Sequence, residues 1–249
     1  MTVALNNTFN IILLDIEGTT TPVDFVYQTL FPYARKRLPD YLSQNFSSAE
    51  MRPVLAQLHE ENAQDIAASL NPPALSNTST EAQLASVTAY LYWLMDIDRK
   101  STPLKTLQGE IWQQGYKSGE LLSEVYTDVP EAFLKWKSQK KTLAIFSSGS
   151  VLAQKLLFAH TTAGDLTRHL SAYFDTNIGA KREAESYKRI AEALEQQPQE
   201  VIFFSDVVAE LDAAQMAGMQ TVLCIRPGNA PQSAEHRHSI IHSFNEMFQ

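Results

Sequence analysis

Three short stretches carry side chains that could do chemistry together. Asp15 and Glu17 follow four apolar residues, Ile11-Ile-Leu-Leu14, and precede Gly18 and a run of threonines. This reads as a short buried strand ending abruptly in two carboxylates. Positions two apart on a strand share a face, so the two acids point the same way wherever the extended geometry persists. Close carboxylates repel. They are tolerated where a cation lies between them, or where one is a nucleophile and the other a proton donor held at a different pKa. The bland alternative, two acids on an exposed turn, accounts less well for the apolar residues directly before them. Ser147-Ser148-Gly149 follows the apolar Leu143-Ala-Ile-Phe146 and offers two hydroxyls and a glycine that lets backbone N–H groups approach a phosphate at a helix start. Taken alone, that stretch is also an ordinary turn and helix cap. Ser205-Asp206, with Glu210 four residues on, follows Val201-Ile-Phe-Phe204. An acceptor, a hydroxyl pair and a second carboxylate on one rim are what metal-assisted phosphoryl transfer needs, and Asp15 and Asp206 are the carboxylates that suit magnesium. A lysine is wanted to neutralise phosphate charge, and Ile178–Lys188 holds two candidates, Lys181 and Lys188.

The elements that must position these groups change character along the chain. After Pro22 the pattern becomes helical for about a hundred residues. Apolar positions near helical spacing run from Phe25 to Leu42, interrupted by Pro32 and Pro39. Ser47-Ser-Ala-Glu50 predicts a capping box for a helix through about Leu70, Thr80-Glu-Ala-Gln83 another for a helix to about Asp96, and a further helix starts near Thr102. From Thr127 helices and strands alternate: Asp128 is expected to cap a helix to about Ser138, Ser150 the next one, with strands at 143–146, 201–204 and 221–225. Such alternation implies parallel pairing through right-handed crossovers, with sites beyond the carboxyl ends of the strands. The expected fold class is therefore α/β, a Rossmann-like doubly wound parallel sheet made of residues 1–22 and 126–249. The inserted all-helical cap spans 23–125.

Composition narrows the function classes. Twenty Lys and Arg against 28 Asp and Glu give a formal charge of −8, with no electrostatic footprint for nucleic acid or an anionic membrane. The one cysteine, Cys224, lies in Thr221–Ile225 and reads as a small buried apolar residue, which fits a reduced cytoplasmic setting. No basic stretch leads into an apolar run at the start, and nothing approaches a membrane-spanning length, so a soluble, unprocessed protein is expected. A monomer is the default expectation. His236, His238 and His242 sit in a charged tail where a metal role is the weaker reading. There is no Walker or dinucleotide-binding glycine fingerprint.

Asp15-Ile-Glu-Gly-Thr-Thr-Thr-Pro22 resembles the first motif of the haloacid dehalogenase-like phosphatase superfamily. In that superfamily the first acid takes the phosphoryl group and the acid two residues later is general acid and base. That second acid is usually Asp. Glu17 narrows the likeness to the enolase-phosphatases of the methionine salvage pathway, as do Asp175–Lys181 with Glu185-Ser-Tyr-Lys188, Met95–Thr102, and Leu107–Trp112 with Gly115-Tyr116 and Gly119. The resemblance implies Asp15 as nucleophile and Glu17 as acid and base. It implies Ser147 as the phosphate-binding hydroxyl of the second motif, with Ser148 and Gly149 beside it. Lys181 rather than Lys188 becomes the functional lysine, and Mg2+ is held by Asp15, the backbone carbonyl of Glu17 and Asp206, with Glu210 in support. It further implies enolisation and dephosphorylation of 2,3-diketo-5-methylthiopentyl-1-phosphate to the acireductone. The alternatives are a phosphatase for another small phosphate ester, a related C-halogen hydrolase, and a non-catalytic binding protein on the same scaffold.

Overall fold

The computed structural model describes residues 9–232 and 236–248. Within them, six strands form one parallel sheet: β1 (Ile11–Leu14), β2 (Thr142–Phe146), β3 (Leu170–Phe174), β4 (Val201–Ser205), β5 (Gln220–Cys224) and β6 (Ser239–Ile241). Their order is β3-β2-β1-β4-β5-β6. Successive strands first step outward from β1 on one side and then on the other, so the order reverses beside β1 and leaves a crevice at its carboxyl end. Register is fixed at the centre, with Leu14 opposite Ile145 on one side and Phe204 on the other.

The four central apolar residues of β1 are buried on both faces, which is why they read as a continuous run rather than an alternation. Ile11 and Leu13 face a core shared with Ala144, Phe146, Val201 and Phe203, and with residues of α7 (Ala184–Ala193) and α8 (Val208–Met216). The other face is covered by aromatic residues from α5 (Val129–Ser138) and α6 (Val151–Ala159). Trp136 packs on Phe204 at 5.8 Å and edge-on to Phe244 at 5.1 Å, while Phe133 meets Phe158 at 6.1 Å. Burying each such side chain contributes about 1.5–3 kcal/mol.

The chain divides into two compact units, one running to Thr29 and resuming at Gly119, the other Leu30–Ser118. The seams expected at 22/23 and 125/126 lie outside the helical unit. Residues 119–126 are fastened to the sheet unit by backbone hydrogen bonds, Ser123 N–H to the His160 carbonyl (2.7 Å) and Tyr126 N–H to that of Thr20 (3.0 Å). The helical unit contains α1 (Phe31–Asn45), α2 (Met51–Ala67), α3 (Thr80–Asp96) and α4 (Thr102–Ser118). Its core includes Leu38, Leu58, Leu91, Leu94 and Leu107. The buried Asp65 carboxylate is satisfied by the Tyr90 hydroxyl (2.8 Å) and Arg99 (2.7 Å). None of the helices among the described residues is long and apolar enough to cross a membrane.

Several local expectations are corrected. Pro39 lies inside α1 without ending it, and Pro32 sits at its first turn, where a missing N–H costs nothing. The Ser47 capping box does not form: α2 starts at Met51, whose N–H reaches Ser48 Oγ instead. Ser79 rather than Thr80 caps α3. Asp128 stands at the start of α5 without capping it, because its Oδ2 is taken by Arg226, Ser243 Oγ and the Phe244 N–H. Ser150 does cap α6, accepting from Ala153 N–H. The sheet also has two edge strands, β3 and β6, that the sequence pattern did not announce.

Candidate active site

Asp15 continues β1 by one backbone bond, its N–H donating to the Phe204 carbonyl (3.0 Å), and it has the strand parity of Ile11 and Leu13. Its carboxylate therefore leaves the sheet on the side of α7 and α8. Immediately afterwards the chain turns: the Ile16 carbonyl accepts from the N–H groups of Thr19, Thr20 and Thr21, and Thr20 Oγ donates to the Asp15 carbonyl (3.0 Å). Extended geometry does not persist to Glu17, which sits half-buried on this turn rather than on the strand. Gly18 makes the turn with φ +69°, and a Cβ there would lie 2.5 Å from Asp206 Oδ2. Both the backbone angle and the space exclude a side chain.

Lys181 reaches the same point from the segment before α7. Its Nζ lies 2.7 Å from Asp15 Oδ1 and 2.7 Å from Glu210 Oε2, with only 10% of the side chain exposed. The first turn of α7 holds the lysine segment down. The Tyr187 hydroxyl donates to the Lys181 carbonyl (2.7 Å), and Ser186 Oγ to the Ala180 carbonyl (2.7 Å). Gly179, at φ +145°, leaves the room that Ser186 Oγ occupies. Lys188, the other candidate, is about half exposed and pairs loosely with Glu185 at 3.6 Å.

The charges are strongly coupled. Burial alone would lower the Lys181 pKa, but the carboxylates of Asp15 and Glu210 outweigh it and hold the ammonium above the usual lysine range. Burial, and then the Asp15 charge, push Glu210 up, against the pull of Lys181 and of the Ser205 hydroxyl at 3.0 Å. Asp206 is pushed up to about 7, first by burial and then by Asp15 and Glu210. Asp15 and Glu210 thus share one ammonium, with the Asp206 carboxyl close enough to feel all three, and the cluster is short of positive charge. A hard divalent cation fits that deficit and that all-oxygen donor set. Among the described residues no three His, Cys, Asp or Glu side chains converge as a ready-made metal cage. The fit is to an ion taking carboxylates of this cluster and ligands from outside it.

Ser147, Ser148 and Gly149 lie at the exit of β2, the strand beside β1. Ser147 N–H donates to the Phe174 carbonyl (3.1 Å), and the buried Gln154 amide donates to the carbonyls of both Gly149 and Phe174 (2.8 Å each). This loop is therefore pinned to the end of β3 before α6 begins. The structure brings Asp15, Lys181 and Glu210 into direct contact, with Asp206 against the Gly18 turn. Cys224 is buried and unpaired with any other cysteine. His238 is buried between Thr221 Oγ1 (2.8 Å) and Asp212 Oδ1 (3.0 Å), away from a metal role.

Sequence reasoning passed over Ser186, Tyr187, Gln154 and Asn229. The first two stood inside a stretch read for its lysine alone. Gln154 carried no signal. Asn229 had one: Pro227-Gly228-Asn229 follows a strand at the same rim.

Residues 9–218 match the family of haloacid dehalogenase-like hydrolases. The chain is 51% identical to the enolase-phosphatase E1 of Synechococcus elongatus over 95% of its own length and 96% of the relative's. It is 48% identical to that of Drosophila mojavensis, over 91% and 89% respectively. Among solved structures it resembles the UTR4 protein of Saccharomyces cerevisiae, with a TM-score of 0.76 and 34% identity over 94% of this chain and 98% of that one. A dehalogenase structure at 19% identity and TM-score 0.54 shares the fold.

Proposed function

The chain belongs to the haloacid dehalogenase-like hydrolases, and from that premise we propose that it is an enolase-phosphatase of methionine salvage. It enolises 2,3-diketo-5-methylthiopentyl-1-phosphate and then dephosphorylates it to the acireductone. The observation that carries this reading is the Asp15–Lys181–Glu210 contact at the carboxyl end of the central strand, with Asp206 beside it. A general phosphate-ester hydrolase would share that cluster. The agreement with enolase-phosphatases across nearly the whole length, helical unit included, favours the narrower substrate.

The residues divide the work as follows. Asp15 attacks phosphorus, forming an O–P bond as the bond from phosphorus to the substrate oxygen breaks, and Glu17 gives its proton to that leaving oxygen. Glu17 then takes a proton from water as the water displaces Asp15 and releases phosphate. Lys181 orients Asp15 and offsets phosphate charge, and its two-carboxylate anchorage leaves its ammonium little freedom. Ser147, Ser148 and the Gly149 N–H hold phosphate oxygens. Asp15, the Glu17 carbonyl and Asp206 would hold magnesium, which when bound polarises the substrate carbonyl and neutralises phosphate charge. Residues 30–118 serve as the selecting cap. The cytoplasm is the setting and a monomer the working unit, in keeping with one buried cysteine and a charge of −8.

The test is turnover of the diketone phosphate beside a generic phosphate ester, with and without chelator, for wild type and Asp15→Asn. Magnesium-dependent turnover preferring the diketone is expected. Asp15→Asn should stop phosphate release while the enol phosphate accumulates, seen by ultraviolet absorbance. Full activity in metal-free buffer would sink the proposal.

A further inference from the structure

The Gly18 turn has a second neighbour besides Asp206. The Asn229 side-chain amide donates to the Gly18 carbonyl (2.9 Å) and to the Cys224 carbonyl (3.1 Å), so one side chain ties the exit of β5 to the exit of β1. Both donors of that amide are used. Its acceptor is not: Asn229 Oδ1 is buried and has no hydrogen-bond partner. A buried amide oxygen left unsatisfied costs about 1–3 kcal/mol, and such groups persist where an absent ligand or water supplies the missing bond.

The position of that oxygen says what the ligand is. The spot where a Cβ on Gly18 would begin lies 2.5 Å from Asp206 Oδ2 and 2.9 Å from Asn229 Oδ1. The two oxygens are therefore within the span of a single bridging water. Asn229 is also delivered there by a built device. Its N–H donates to the Arg226 carbonyl (3.2 Å), closing a turn with Pro227 and then Gly228 at φ +87° in the central positions. That is the sequence and backbone signature of a type II turn. The base of the turn is fixed, since Arg226 is paired with Asp128 at 2.7 Å with 3% of its side chain exposed and is stacked on Tyr126 and Phe244.

We infer that Asn229 is a positioning residue for the divalent ion: its amide fixes the Gly18 turn between Asp15 and Asp206, and its Oδ1 accepts a hydrogen bond from a water on that ion. The inference rests on the metal-dependent reading above. The Asn229 oxygen stays outside the ion's own coordination shell, where it orients a ligand water while the carboxylates carry the charge.

Magnesium alone, titrated by calorimetry into metal-free wild type, Asn229→Leu and Asn229→Ala, tests it. Both substitutions remove the acceptor; leucine keeps the volume and alanine leaves space should leucine disturb the fold. Either folded variant is expected to bind magnesium about tenfold or more weakly. The magnesium concentration for half-maximal phosphate release should rise in parallel, with turnover recovering towards wild type at saturation. A merely structural asparagine would lower the unfolding midpoint without moving the magnesium affinity, and unchanged affinity in a folded variant overturns the inference. Failure of both variants to fold would also overturn it, by assigning Asn229 to stability. Wild type that binds no magnesium would instead remove the metal-dependent reading itself, a result distinguishable from wild type and variants binding alike.

Discussion

Lys181 has one positive charge and two anionic partners, so removing it leaves Asp15 and Glu210 facing each other out of water. Breaking a buried pair in this way costs about 3–5 kcal/mol. Lys181→Met is therefore expected to lose stability of that order in urea denaturation, and Lys181→Met/Glu210→Gln to recover much of it, because the double variant removes one of the stranded charges. Simple additivity of the two substitutions would contradict the shared contact. Phosphate release should stay low in both, since neither restores a cation beside Asp15, the proposed nucleophile. Glu17→Gln should cut phosphate release about 10²–10⁴-fold, the range of a lost general acid and base, with magnesium binding retained. At this scale much was legible. Asp15, Ser147 and the pair Ser205-Asp206 each follow an apolar run directly, and a polar exit from a buried strand is a conspicuous signal. Asn229 was less so: Pro227-Gly228 marks a turn, but its value depends on a base held by Asp128, 101 residues earlier than the asparagine and unrelated to it by any spacing rule.

The segment carrying Lys181 is shaped by the helix that follows it. A side chain on Gly179 would overlap Ser186 Oγ, and φ +145° suits glycine alone. Gly179→Ala is therefore expected to dislodge the lysine segment, lowering activity at least tenfold with the sheet unfolding little changed; unchanged kinetics would show that the segment tolerates the shift. At the opposite edge of the sheet, β6 is joined through His238, whose imidazole burial holds below the ordinary histidine range despite Asp212 and with His236 stacked beside it. It is neutral when folded and protonates in the unfolded chain below about 6.5. Its contribution is complete above that value and is lost as pH falls through the depressed folded pKa. The thermal midpoint should drop between pH 7 and pH 5, and His238→Asn should flatten part of that slope. Elements of this kind were the least legible. β3 and β6 are short edge strands with partly polar patterns, and Asp128 looked like a helix cap because its distant partners Arg226 and Ser243 leave no local trace.

Over the whole molecule, the groups proposed to handle phosphate belong to the sheet unit, and the helical unit Leu30–Ser118 has a core of its own. Phosphate motifs are common to many substrates, so we expect selectivity for the methylthio end to depend on the helical unit, where one methylene is worth roughly 1–3 kcal/mol. Replacing residues 30–118 by a short linker should leave at best slow, unselective ester hydrolysis. A folded sheet unit that kept the diketone preference would refute this. The parallel sheet and its helical insertion were readable from the switch of period after Pro22 and again at Thr127, since long alternations of strand and helix admit few topologies.

The central strand also sets a schedule. Ile11 pairs with Thr142 on one side and Val201 on the other. On a ribosome adding about 5–20 residues per second, Ile11–Leu14 waits on the order of ten seconds or more for both neighbours. During that interval the helices of the inserted unit, whose contacts are local, can complete themselves. Once β2 is made the strand can pair on one side, and its other edge stays open until β4 follows. Placing the cluster at the exit of the innermost strand thus makes it one of the last features to assemble, and leaves one edge of an apolar strand open to aggregation until β4 is made.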